Sequence, residues 1–177
     1  MKEMGSDPYF ADTVERAWAV LATVADPEIP VISVVDLGIV RGIAVGDDGL
    51  EVSLTPTYAG CPATHVIESD IREALTRAGI AVRVVTRLAP PWTTDWITTT
   101  GRARLKEFGI APPAPAGSRD GQIIRLVPRG ANMQKTPACP HCGSAGTELL
   151  SQFGSTPCKA LYRCVDCREP FDYFKPL

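Results

Sequence analysis

Apolar residues recur at helical spacing between residues 9 and 24. Val14, Trp18 and Leu21 form one stripe, with Ala17 and Val24 beside it. Asp12 and Glu15 fall early, where acidic side chains suit the helix dipole. Asp26-Pro-Glu-Ile-Pro30 then ends the helix, because two prolines remove donors and push the preceding residues to extended geometry. Val31 to Val35 is a short β-branched run that predicts a strand. Asp36-Leu-Gly38 interrupts it, and Ile39 to Val45 resumes as a strand. Gly46-Asp-Asp-Gly49 is a hairpin signal. Leu50, Val52 and Leu54 then alternate with Glu51 and Ser53 up to Thr55, as in a half-buried antiparallel strand.

A helix is predicted from Ala63 to Ala78. Ile67, Ile71, Ala74, Leu75 and Ala78 share a face, and Gly79 ends it. Ala81 to Leu88 reads as a third long strand, Ala89-Pro-Pro-Trp92 as a stiff loop, and Asp95 to Phe108 as a short helix. This order implies an α/β (α+β two-layer) fold: a small, mostly antiparallel sheet with helices on one face. Residues 1–110 form that first unit. Residues 111–135 are a Pro-rich linker with a short strand, Gln122 to Val127. Residues 136–177 form a second unit, in which Leu161 to Cys164 and Phe171 to Phe174 read as strands. The aromatics of these two strands suit the core of a tiny ribbon better than nucleotide stacking.

The chain has 177 residues, 45% hydrophobic and 21% charged, within the range of globular proteins. No apolar run is long enough to span a bilayer, and the N-terminal residues lack the apolar core of a secretion signal. A cytoplasmic, reducing location is expected, so the six cysteines read as metal ligands or reactive thiols rather than disulfides. Residues 1–110 carry 10 Lys/Arg and 15 Asp/Glu, and residues 111–177 carry 8 and 5. A balance of −5 followed by +3 is too weak a field for nucleic acid as the main partner.

Cys139-Pro-His-Cys142-Gly143 and Cys164-Val-Asp-Cys167 are two Cys-x-x-Cys turns separated by 21 residues. Together Cys139, Cys142, Cys164 and Cys167 can complete a tetrahedral four-thiolate site. Structural zinc, one ion per chain, is the first choice, and iron uses the same ligands. A segment of about 40 residues has little core, so the metal should contribute directly to its folding. Gly143 permits the left-handed backbone such a turn needs, and Arg168 takes the matching place in the second turn. Cys158 can be a spare packed thiol, the favoured reading, or a fifth or transient cluster ligand, and His141 reads as exposed rather than a ligand.

The stretch Thr55-Pro-Thr-Tyr-Ala-Gly-Cys-Pro62 carries the other candidate chemistry. Proline is favoured at the first helical position, which would place Cys61 at or near the N-cap. There the helix dipole would favour thiolate and make Cys61 more acidic than a free cysteine. The alternative is a small buried hydrophobe ending a strand. Thr55 and Thr57 can donate hydrogen bonds to the sulfur or simply end a strand. Asp26, Glu28 and Asp36 are acidic residues at turns near strand ends. Trp92 and Trp96 can roof a site or cap the core, and His65 can exchange a proton with Cys61 or face solvent. No Ser–His–Asp or paired-carboxylate pattern supports hydrolysis.

Asp26-Pro-Glu-Ile-Pro30, Val34-Val-Asp-Leu-Gly-Ile-Val40, Leu54-Thr-Pro-Thr-Tyr-Ala-Gly-Cys-Pro62 and Pro90-Pro-Trp92 together resemble the SufT-like iron–sulfur assembly domain. Joined to the Cys-rich ribbon and the stretch Phe153 to Cys164, the whole chain resembles the PaaD (PaaJ) family of bacterial phenylacetate degradation. That system epoxidises phenylacetyl-CoA with a di-iron oxygenase and an iron–sulfur flavin reductase. The resemblance implies a maturation factor without independent catalysis that assists cluster assembly in the reductase. Its reactive cysteine maps to Cys61 and its acidic turn to Asp26, Glu28 and Asp36. Cys61 would hold iron or a cluster transiently. Because clusters are usually held by four thiolates, a second copy in a homodimer, a partner or small thiols must complete the shell. The alternative is a structural or regulatory component of the oxygenase.

Overall fold

The computed structural model describes residues 8–46, 48–114 and 136–176. The expected strand Gln122 to Val127 lies outside the described residues. Two compact units emerge. The first runs to Trp92 and includes Trp96–Gly101; the second comprises Thr93–Asp95 and everything from Arg102 on.

The first unit begins with α1 (Pro8–Leu21). The helix stops three residues before its predicted end, yet Val24 stays buried with Ala17 and Leu21. Val31 to Val35, expected to be a strand, is instead a series of turns touching Ala25 through a single bridge at Ser33. The cause is local hydrogen bonding. Ser33 Oγ accepts the Asp36 N–H at 3.0 Å, and the Leu37 N–H reaches the Ser33 carbonyl at 2.8 Å. These local bonds curl the segment, the Val34 N–H and Ile32 carbonyl pair with Val24 and Asp26, and Ile32, Val34 and Leu37 are buried.

Strands β1 (Val40–Gly46) and β2 (Gly49–Leu54) form the expected antiparallel hairpin. Helix α2 (Thr64–Arg77) then carries the chain across to β3 (Val82–Thr86), which pairs with β2 in parallel. A helical crossover between neighbouring strands permits that direction, so one of the two pairings in this sheet is parallel. Ile67, Ile71 and Leu75 bury one stripe of α2. This helix packs on β3, and α1 packs on α2.

Trp92 closes this core. Its ring is buried, and its indole N–H donates to the Leu37 carbonyl at 3.1 Å. Trp96, in a short 3₁₀ turn (Thr94–Trp96), lies under the Arg41 guanidinium, 3.5 Å from its ring centroid. Gly38 stands against it at φ +74°, where a Cβ would come within 2.5 Å of the Trp96 carbonyl oxygen.

Helix α3 (Thr99–Glu107) leads to β4 (Ile110–Ala111), followed by β5 (Thr147–Ser151), β6 (Lys159–Cys164) and β7 (Pro170–Phe174). Composition alone placed Ala111 at the start of a linker, but it lies in a strand. The second sheet has the order β4-β7-β6-β5, with β4 parallel to β7 and the other pairs antiparallel.

Gly38→Ala adds left-handed strain to a backbone clash. It should cost about 2–4 kcal/mol, read as a lower urea midpoint by tryptophan fluorescence.

Candidate functional site

Cys61 sits at the end of an irregular segment that β2 delivers. Thr55 and Thr57 are buried anchors of this segment, and the Thr55 N–H donates to the Ile39 carbonyl at 2.9 Å. A turn closes next, with the Cys61 N–H on the Tyr58 carbonyl at 3.1 Å. A further turn follows before the helix starts, with the Thr64 N–H on the Cys61 carbonyl at 3.2 Å. Ala63, not Cys61, is therefore the N-cap of α2, and no side chain caps it.

The expected acidity of Cys61 is thus corrected. Burial pushes its thiol up. The Ala63 N–H and the Thr64 hydroxyl pull it down, and the Asp26 and Glu28 carboxylates push it up again; the net shift is upward. The sulfur's hydrogen bonds come from Ala63 and Thr64 rather than from Thr55 or Thr57. Thr64 was not singled out from the sequence. Its place three residues after the cysteine, where its hydroxyl also reaches the Cys61 carbonyl at 2.9 Å, was the available signal. His65 faces solvent, with a 93% exposed side chain 3.7 Å from Glu68.

The three acidic candidates separate. Asp26 is buried, and its Oδ1 accepts the N–H groups of Glu28 and Ile29, both at 2.9 Å. This bonding fixes the Asp26 to Pro30 turn. Asp26 and exposed Glu28 both place negative charge near the Cys61 sulfur. Asp36 is bound elsewhere: its Oδ1 accepts the Thr98 hydroxyl at 2.7 Å, and its carbonyl accepts the Thr98 N–H at 2.9 Å.

In the second unit the four ribbon sulfurs all lie within 4.8 Å of one another. Cys139 and Cys167 are 3.7 Å apart, and Cys142 and Cys164 are 3.5 Å apart. A zinc tetrahedron with Zn–S bonds near 2.3 Å has edges of about 3.8 Å, so the donor set fits the ion. Gly143 (φ +79°) and Arg168 (φ +65°) take the matching left-handed place after each turn.

The thiols share protons unevenly. The Cys167 N–H, against the opposing effect of burial, and the Cys142 thiol hold Cys164 down to about 7. For Cys167, the Glu169 N–H pulls down. Burial and hydrogen bonds to the other three sulfurs win, pushing it up to about 12. Cys158 lies outside the four, buried and 3.0 Å from the Thr156 hydroxyl. Tyr162 stacks on Phe171 and meets Tyr173 edge-on, so these aromatics serve the ribbon core.

Among the described residues no helix is long and apolar enough to cross a membrane. Residues 15–86 match the family described as iron–sulfur cluster assembly protein, and residues 127–175 match the PaaD zinc beta ribbon domain. A solved Bacillus anthracis structure of a domain of unknown function, DUF59, shares the fold of the first unit. It has a TM-score of 0.50 and 24% identity, and the match covers 54% of this chain and 92% of that one. A Porphyromonas gingivalis protein named Fe-S protein maturation auxiliary factor is 37% identical, over 54% of this chain and 93% of its own. An Escherichia coli (strain K12) protein, provisionally named as one of the components of 1,2-phenylacetyl-CoA epoxidase, is 48% identical over 92% of both chains. With an assembly domain followed by that ribbon, and this identity along nearly its whole length, the chain belongs to the PaaD family.

Proposed function

We propose that this protein matures a metal centre of the phenylacetyl-CoA epoxidase system, delivering iron or an iron–sulfur cluster to its reductase through Cys61. The observation that carries this reading is a partly buried thiol under the negative charge of Asp26 and Glu28. Carboxylates that oppose a thiolate favour a cation, so the sulfur keeps its proton until a metal displaces it. A protonated thiol is a poor nucleophile, which argues against a thiol enzyme. One sulfur cannot complete a cluster shell, so client thiolates, small thiols or a second copy must supply the rest. The ribbon, zinc-loaded throughout, would serve docking. The name of the Escherichia coli relative counts that protein among the epoxidase's own components, which supports the second reading, a structural or regulatory role within the oxygenase.

Anaerobic reconstitution of wild type and Cys61→Ala, followed by incubation with apo-reductase, separates the two readings. Wild type should restore the reductase cluster and Cys61→Ala should leave it at background. Equal maturation by both proteins, with stoichiometric co-purification of the oxygenase, would establish the second reading instead.

Iodoacetamide labelling of zinc-loaded protein tests the electrostatics. The Cys61 midpoint should lie above the usual value of about 8.5. Glu28→Gln removes a negative charge, makes the thiolate easier to form and should lower that midpoint. A wild-type midpoint below that of free cysteine would contradict the proposed proton-for-metal exchange.

A further inference from the structure

The ribbon's metal centre has a wall that comes from outside the ribbon. The matched ribbon segment is 127–175, yet Ala111 of β4 belongs to the buried cluster that contains Cys139, Cys164 and Phe171. Cys167, Tyr162 and Tyr173 pack against the same cluster. Strand β4 reaches it by pairing with β7, Ile110 opposite Asp172 and Ala111 opposite Tyr173. Both residues are almost fully enclosed, at 4% and 2% exposure. Two residues before Ala111, Gly109 lies so close to the first Cys-x-x-Cys turn that a Cβ there would meet His141 Cε1 at 3.0 Å. Gly109 thus adjoins the first turn, and Ala111 backs one sulfur from each turn.

We propose that Gly109–Ala111 are a working part of this metal centre: they close the apolar wall behind Cys139 and Cys164, and retention of the ion depends on them. The wall keeps water from the two most enclosed sulfurs and fixes the directions in which they point. Groups behind metal ligands are typically worth 10–100-fold in metal affinity. The dependence runs both ways. A two-residue strand is too short to hold itself in place, so the ion that stabilises the cluster also stabilises β4. The Arg102 side chain donates to the carbonyls of Thr94 and Pro113, which ties the chain just beyond β4 to the Thr93–Asp95 stretch of the same unit. Metal loading is therefore felt along residues 102–113, upstream of the Pro-rich stretch.

The test uses the full chain loaded with zinc, with release followed by a colorimetric chelator. Ala111→Leu overfills the wall and should speed release about tenfold or more. Ala160→Leu makes the same volume change at a buried position of the same sheet that lies outside the cluster. It should stay within about twofold of wild type. Equal acceleration in the two variants would mean general loosening of the ribbon and would overturn the proposal, as would no acceleration in either. Wild-type protein carries a second readout that needs no variant. On zinc removal, hydrogen exchange in the peptide spanning Phe108–Pro112 should rise with that of the ribbon, while α2 (Thr64–Arg77) stays protected. Protection of β4 that survives while β6 and β7 lose theirs would overturn the proposal. None of these measurements involves Cys61.

Discussion

Four sulfurs held within 4.8 Å of one another form a donor set that fits one tetrahedral ion. The Cys167 N–H draws Cys164 down to about 7, while against the Glu169 N–H, burial and the other three sulfurs push Cys167 up to about 12. A divalent ion removes that conflict and supplies the folding energy that so small a segment cannot bury for itself. Phe171 is buried in one cluster with Cys139 and Cys164, and Tyr162, stacked on Phe171, packs against it. The buried Lys159 ammonium is matched at 3.1 Å by Asp172, which the Ser155 hydroxyl also approaches. Its charge is therefore compensated inside the ribbon.

Cys61 is the opposite arrangement. It is one sulfur with hydrogen-bond donors at Ala63 and Thr64 and negative charge at Asp26 and Glu28. Donors alone would draw out a thiolate. Burial and the carboxylates outweigh them, so at neutral pH the proton stays. The Asp26 to Pro30 turn matters for this reason: Asp26 is locked by two backbone N–H groups and cannot swing away from the sulfur it opposes.

Much of this was legible in the sequence where the physics is local. The Cys-x-x-Cys spacing sets the ribbon site, because each turn places its own two sulfurs. The hairpin β1–β2 and the buried stripe of α2 follow from periodicity. What escaped was non-local or one turn out of register. Pro62 suggested a helix starting beside Cys61, but the cap falls at Ala63; the Ala63 N–H and Thr64 hydroxyl still reach the sulfur, and burial outweighs them. Val31 to Val35 has strand composition, yet Ser33 bonds to Asp36 and Leu37 just beyond it and curls the segment into turns. Asp36 meets a partner 62 residues away in Thr98, which no short motif announces. Ala111 stands at the edge of a Pro-rich stretch and looks like linker, since only β7 gives it a strand partner.

The contrast between the two sulfur sites bears on what a carrier must be. A closed four-thiolate shell holds its ion because nothing remains for a competitor to bind. The same completeness makes it useless for handing an ion on. A site that offers one sulfur, still protonated, leaves the remaining coordination positions to others and binds more weakly than a client with four cysteines. On the proposed reading, transfer would run downhill as the client's thiolates replaced borrowed ligands one at a time, with a proton returning to Cys61 as the metal left. The Asp26 and Glu28 carboxylates favour a cation at the sulfur over a bare thiolate, so on the proposed reading release would rest on the client's larger set of thiolates.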